Sequence, residues 1–184
     1  MTRRFDASPI DLAQVDELVD LARRAPSAGY SQGVHFLVLS GRAANSFWSI
    51  TGGDDWFDDA IRAAPVLVLA LADPLAYTSR YTEGDKAGHG LEQASNWEVP
   101  FWLTDAAMAT QNLLLLAEDR GFGALYFGIF RNARELLDEL GVPPHVLQVG
   151  VVALGLRAAD DQQSGSALTR PRLPVADVIH HQRW

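Results

Sequence analysis

Pro65-Val66-Leu67-Val68-Leu69-Ala70-Leu71 is a continuous apolar, β-rich run. A strand with no polar alternation cannot leave one face to water, so it must be covered on both. Helical and strand patterns alternate along the rest of the chain, which makes the fold class mixed α/β or α+β. With 184 residues the chain is long enough to bury a sizeable core, and one domain spanning 1–184 is expected.

The periodicity predicts a first helix over Asp11 to Ala25, with Asp11 and Gln14 as a capping pair and Pro26 as its stop. A buried strand follows at His35 to Ser40, then a short helix at Gly41 to Ile50. Asp73 to Phe101 reads as a long irregular segment rich in aromatics, hence functional rather than disordered. Trp102 to Arg120 reads as the longest helix, stopped by Gly121. Its stretch Leu113 to Ala117 is apolar on all sides, which suggests cover from a second subunit. Gly123 to Phe127 is a strand. Asn132 to Leu140 is a helix with an Asn132–Glu135 capping box, and Leu147 to Leu156 is a buried strand containing Gly150. Asp160 to Ser166 is a polar loop, and Arg170 to Trp184 is a tail.

Composition excludes several function classes. The net charge of −8 disfavours nucleic acid and anionic membrane surfaces as partners. The absence of cysteine removes disulfides, thiolate metal sites and a Cys nucleophile together. Met1 to Ser8 is charged and lacks an apolar signal-peptide core, and no apolar run reaches the roughly 18 residues of a membrane helix. A cytoplasmic location is expected. No metal site is expected: His180-His181 has no partner ligand at suitable spacing, and adjacent residues would point apart on a strand. Asp54-Asp55 and Asp58-Asp59 read as an exposed helix turn. There is no Gly-rich dinucleotide fingerprint and no nucleophile elbow.

The stretch Arg23-Arg24-Ala25-Pro26-Ser27-Ala28-Gly29-Tyr30-Ser31-Gln32-Gly33-Val34-His35-Phe36 is the most informative for function. Small and hydroxylated residues follow the helix-ending proline, so backbone N–H groups and short hydroxyls share one exposed edge. That arrangement suits a flat, hydrogen-bonding ligand. This stretch, with Arg3-Arg4-Phe5, the helix containing Gln111-Asn112-Leu113-Leu114-Leu115, the segment Ala124 to Phe130 and the tail Arg170-Pro171-Arg172-Leu173-Pro174, resembles the nitroreductase family in the family's own order.

The resemblance implies a nitroreductase-like fold: a central, mostly antiparallel sheet flanked by helices, in a homodimer with an interwoven C-terminal arm. It implies FMN in the subunit interface and ping-pong transfer of a hydride from NADH or NADPH to an electron-poor small-molecule acceptor such as a nitroaromatic or quinone. The flavin would carry the chemistry, so no catalytic side chain is expected. By the resemblance, Pro26, Ser27, Ala28, Ser31 and Gln32 lie under the flavin, with Ser27, Ser31 and Gln32 bonding the ribityl chain and ring edge. Phe127, Gly128 and Ile129 pass its reactive edge, where the Gly128 N–H would tune N5. Arg170 and Arg172 take the phosphate and Arg3 the pyrimidine side, each also readable as ordinary surface arginine. Residues 73–101 would form a substrate lid or insertion, with Tyr77, Tyr81, Trp97, Phe101 and Trp102 as stacking candidates. The chain departs from the family where Tyr30 replaces a common Asn and Gly33-Val34 replaces Pro-Trp. The usual N-terminal Arg-x-Ser is missing. Two other readings stay open: a dedicated biosynthetic flavin oxidase or dehydrogenase, and a non-catalytic flavin-binding module.

Overall fold

The computed structural model describes residues 1–162 and 165–184. Strands β1 (Val34–Ser40), β2 (Val66–Ala72), β3 (Gly123–Phe127) and β4 (Leu147–Gly155) form one antiparallel sheet in the order β1-β2-β4-β3. All seven residues of β2 are buried, as its lack of alternation requires.

The two faces of β2 meet different helices. Leu67, Leu69 and Leu71 pack among Phe47 and Trp48 of α2 (Gly41–Thr51) and Leu136 and Leu137 of α6 (Ala133–Glu139). Val66 and Val68 pack among Val15 and Leu18 of α1 (Leu12–Ala22) and Leu113 and Ala117 of α5 (Phe101–Asp119). Each such side chain contributes about 1.5–3 kcal/mol by leaving water, which makes this two-sided burial the main stabilising term. The shorter helices α3 (Asp59–Arg62), α4 (Pro74–Arg80) and α7 (Gly165–Thr169) complete the described helices. Among the described residues no helix is long and apolar enough to cross a membrane.

Several expectations change in detail. The α1 helix ends at Ala22, before the expected Ala25, and the chain tightens into i→i+3 turns, Arg24 N donating to the Leu21 carbonyl and Ala25 N to the Ala22 carbonyl at 3.2 Å each, ahead of Pro26. Its cap is the Asp11 carboxylate accepting from Ala13 N at 2.9 Å, and among the described residues the Gln14 side chain returns no bond. The Asn132–Glu135 capping box does not form. Asn132 is left-handed (φ 52°), and its side-chain amide donates instead to the Ile50 carbonyl at 2.8 Å, tying α6 to the end of α2.

The segment from Asp73 is not irregular at its start. Pro74 to Arg80 is helical, capped by the Asp73 carboxylate accepting from Leu75 N at 2.8 Å, with Pro74 in the first turn. The stretch Leu113 to Ala117 of α5 is apolar on all sides, as expected, and the protomer covers only part of it: Leu113 and Ala117 are fully buried while Leu115 is 60% exposed. Phe101, Met108 and Leu115, seven residues apart in turn, form an exposed apolar stripe.

In the expected polar loop, Gln163 and Ser164 lie outside the described residues, and α7 begins at Gly165. His180 and His181 are not on a strand, and the His180 ring lies 4.2 Å from that of Trp184. The acidic turn is exposed as expected at Asp55 and Asp59, which pair with Arg131 and Arg62.

Where β2 meets β4 the register shifts between Ala70 and Leu71, so Ala70 faces Gly150 while Leu71 faces Gln148. The extra residue, Val149, offers its carbonyl to the Tyr126 hydroxyl at 2.9 Å. A Cβ on Gly150 would sit 2.4 Å from the Tyr126 ring, so only glycine allows this approach.

Candidate functional site

The turn between α1 and β1 is held from below by buried chemistry. Ser27 is extended, and Gly29, Tyr30 and Gln32 are left-handed at φ 62°, 57° and 54°. The N–H of Ala28 donates to Asp105 Oδ2 of α5 at 2.9 Å, and the Tyr77 hydroxyl of α4 donates to the same oxygen at 2.8 Å. Asp105 is 1% exposed and Tyr77 fully buried. Among the described residues no Lys, Arg or His pairs with Asp105, so these two donors, with the Thr104 hydroxyl donating to Oδ1 at 3.4 Å, compensate the buried carboxylate. Burial first, and then the Asp105 carboxylate, hold the Tyr77 phenol above its usual titration range.

A second anchor comes from the Arg80 guanidinium. It donates to the Gly29 carbonyl at 2.9 Å, to Glu83 at 2.8 Å and in two bonds to Asp85, each 2.6 Å. The bonds from Arg80 depress the Asp85 carboxyl to about 2. A Cβ on Gly29 would meet the Tyr81 ring at 2.8 Å, so the turn lies directly against the segment that follows α4.

The turn's hydroxyls are partly engaged within it. Ser27 Oγ accepts from Gln32 N at 3.1 Å, and Ser31 Oγ donates to the Ala28 carbonyl at 2.7 Å. The donor of Ser27, the lone pairs of Ser31 and the exposed Gln32 amide remain available to a ligand. Pro26 is exposed. Arg23, Arg24, Ser27, Tyr30 and Gln32 line an open cavity of about 210 Å³.

The aromatics expected to receive a substrate face one another. Trp97 is the hub, with ring centroids 5.9 Å from Tyr77, 5.0 Å from Tyr81, 5.8 Å from Phe101 and 5.8 Å from Trp102. Its indole N–H donates to the Leu91 carbonyl at 2.7 Å. Tyr77 and Trp102 are buried in this cluster and offer no face to a ligand. Tyr81 and Trp97 are half-buried, and Phe101 is exposed. Periodicity could not separate platform from packing in a segment expected to be irregular. The Asp73-Pro74 cap was the available signal that Tyr77 sits on a helix.

The segment Phe127–Ile129 leaves the end of β3. The Phe127 side chain is half-buried and packs against the core, stacked at 5.6 Å on Trp48 and 4.7 Å from Phe57, and Ile129 is buried. What this segment can offer a ligand is the half-buried backbone of Gly128, beside a cavity of only about 20 Å³. Phe130, the last residue of the matched segment, is 85% exposed with its ring next to Gly128.

The basic residues are free to act. Arg3, Arg170 and Arg172 are exposed, and among the described residues none of their guanidinium groups has a partner. Arg3 is placed through its backbone N–H, which donates to Asp161 Oδ1 at 2.8 Å. Among the described residues no group of three or more His, Asp or Glu side chains could hold a metal.

The turn thus feeds β1 and Phe127–Ile129 leaves β3, the two opposite edges of the sheet. Two strands lie between these edges, which at about 4.8 Å per strand separates them by roughly 14 Å. Each half has a cavity of its own below the roughly 300 Å³ of a typical ligand pocket.

A sequence profile of the nitroreductase family matches residues 1–156. An NADPH-dependent oxidoreductase of Staphylococcus saprophyticus is 24% identical over 99% of this chain and 69% of its own. A protein of Archaeoglobus fulgidus, named as an NADH dehydrogenase/NAD(P)H nitroreductase, is 25% identical over 99% of this chain and 92% of its own. Among solved structures, a nitroreductase from Desulfovibrio desulfuricans in complex with FMN superposes with a TM-score of 0.69 at 21% identity. That match covers 100% of this chain and 91% of the other, and at this identity it bears on the fold.

Proposed function

Because the chain belongs to the nitroreductase family, we propose that it is an FMN-dependent oxidoreductase passing a hydride from NADH or NADPH to an electron-poor acceptor, with each flavin site completed by two copies of the chain. The observation that carries this reading is the split site: the Ser27 turn and Gly128 sit at opposite sheet edges. A second copy can bring the turn of one protomer to the Gly128 segment of the other. Two exposed apolar surfaces support a second copy as the partner. One is the Phe101, Met108 and Leu115 stripe of α5; the other is the 165–184 arm, exposed throughout and carrying Leu168, Leu173, Val175 and Trp184.

The donor set fits FMN. Arg170 and Arg172, without a side-chain partner among the described residues, supply planar donors for a phosphate, with Arg3 as a third positive charge. Ser27, Ser31 and Gln32 supply short polar groups for a polyol and a ring edge. Gly128 lets a backbone N–H come close where a side chain would intrude. Bound flavin supplies a two-electron carrier, which the described side chains cannot replace: no cysteine is present. The protein's part is to bind, orient and shield. Arg3 would stabilise negative charge gained on reduction, and the Asp105-anchored turn would hold the ring in place.

Purified protein tests the reading. We expect a yellow preparation, or a colourless one that binds added FMN, with a two-protomer mass by light scattering and rapid bleaching by NADH or NADPH without oxygen. A monomer with no affinity for FMN would overturn it. Flavin that binds but is not reduced would leave a binding module.

A further inference from the structure

We propose that Tyr30 is a specificity-determining residue: its ring is the platform on which a planar, electron-poor aromatic acceptor stacks. The proposal rests on the FMN reading above and names the substrate class of that same site.

The first observation is conformational. Tyr30 has φ 57°, in the left-handed region that a bulky L-residue enters only at a cost. Asn or Gly would hold the same turn more cheaply. The second is that, among the described residues, no contact of the Tyr30 side chain offsets this cost. The ring is 74% exposed, forms no aromatic pair and, among the described residues, its hydroxyl has no hydrogen-bond partner. Strain of this kind clusters at ligand-binding sites, where it persists because the surroundings impose it. Here the surroundings are Asp105 and Arg80, which clamp Ala28 and Gly29 and so fix the direction of the next residue.

The third observation is placement. Tyr30 shares its cavity with Ser27 and Gln32 and with the guanidinium-bearing Arg23 and Arg24. Both arginines are held by Asp20 and still face the same space. A flat π face beside positive groups fits a ring bearing electron-withdrawing oxygens, as nitroarenes and quinones do. The aromatics between Tyr77 and Trp102 cannot take that role together, since Tyr77 and Trp102 are buried around Trp97.

The test compares wild type with Tyr30→Asn and Tyr30→Phe. The measurements are thermal unfolding, the FMN Kd, and equilibrium binding of a nitroarene to the oxidised holoprotein. Steady-state constants for that nitroarene and for ferricyanide, a non-aromatic acceptor, complete the set. Y30N is expected to unfold at or above the wild-type temperature and to keep its FMN Kd and dimer mass. It should bind the nitroarene roughly three- to tenfold more weakly, with KM rising in step and ferricyanide turnover unchanged. Y30F keeps the ring and should behave as wild type. Unchanged nitroarene binding in Y30N would overturn the proposal. So would an equal loss with ferricyanide, a weaker FMN Kd, which puts the ring against the cofactor, or a lost dimer, which puts it against the second copy. A wild-type protein that binds no FMN removes the underlying reading as well, an outcome distinct from each of these.

Discussion

Tyr77 donates its phenolic hydrogen to Asp105 across 2.8 Å, and the oxygen that accepts it also accepts the N–H of Ala28. One buried carboxylate oxygen therefore joins α4, α5 and the turn in front of β1. Removing either partner leaves a buried polar group short of a bond, at about 1–3 kcal/mol. Tyr77→Phe should destabilise the protein by that amount in urea unfolding. Asp105→Asn should in addition loosen the turn, seen as faster hydrogen exchange at Ala28 to Gln32 and weaker FMN binding. Asp105→Asn with wild-type exchange in the turn would show that Asp105 does not hold it.

The same bond carries a pH dependence. The folded-state pKa of Tyr77 is raised above its ordinary value of 10.0, mainly by burial and then by Asp105. In the unfolded chain the phenol ionises first, so the stabilisation is complete below pH 10 and declines as pH rises beyond it. Wild type should lose stability above that pH more steeply than Tyr77→Phe. Parallel alkaline unfolding curves for the two proteins would contradict the assignment.

Arg80 couples the acidic segment after α4 to the carbonyl of Gly29. Asp85, held down to about 2 chiefly by its hydrogen bonds from Arg80, keeps its charge until pH falls well below the usual carboxylate range. This contact is thus present above about pH 4 and lost towards pH 2. Arg80→Ala should release both ends, giving faster proteolysis between residues 82 and 97 with little change in the unfolding temperature. Unchanged cleavage would mean that the Trp97 cluster alone holds the segment.

Arg172→Ala should weaken FMN by on the order of 1.5–3 kcal/mol, the range for a hydrogen bond to a charged group. Titration of the apoprotein with FMN measures it. The same affinity with and without the guanidinium would remove Arg172 from the phosphate site.

Leu115→Asp places a charge in the exposed stripe of α5, at a side chain 60% exposed in the protomer. The protomer should fold, while light scattering should show a shift from two-protomer to one-protomer mass and flavin retention should fall. A charged variant that stays dimeric would place the interface elsewhere.

Local chemistry made much of the fold legible. The run at Pro65 to Leu71 could only be a strand covered twice, and Pro26 and Gly121 mark helix ends that a linear reading can see. Asp73-Pro74 was an equally local signal for α4, overlooked among glycines and aromatics. The turn from Pro26 to Gln32 stood out because small, hydroxylated residues between a helix and a strand have few other uses. What no linear reading supplies is which long-range partner compensates a buried group. Asp105 lies 77 residues from Ala28 and 28 from Tyr77, and only packing brings the three together. Packing also made Trp97 the centre of an aromatic cluster, set the Phe127 side chain against the core, and left Tyr30 and Phe130 outside. The order of the strands put the two halves of the site on opposite edges. Local sequence selects elements through backbone sterics and hydrophobic period; which surfaces stay open depends on how those elements compete to cover one another.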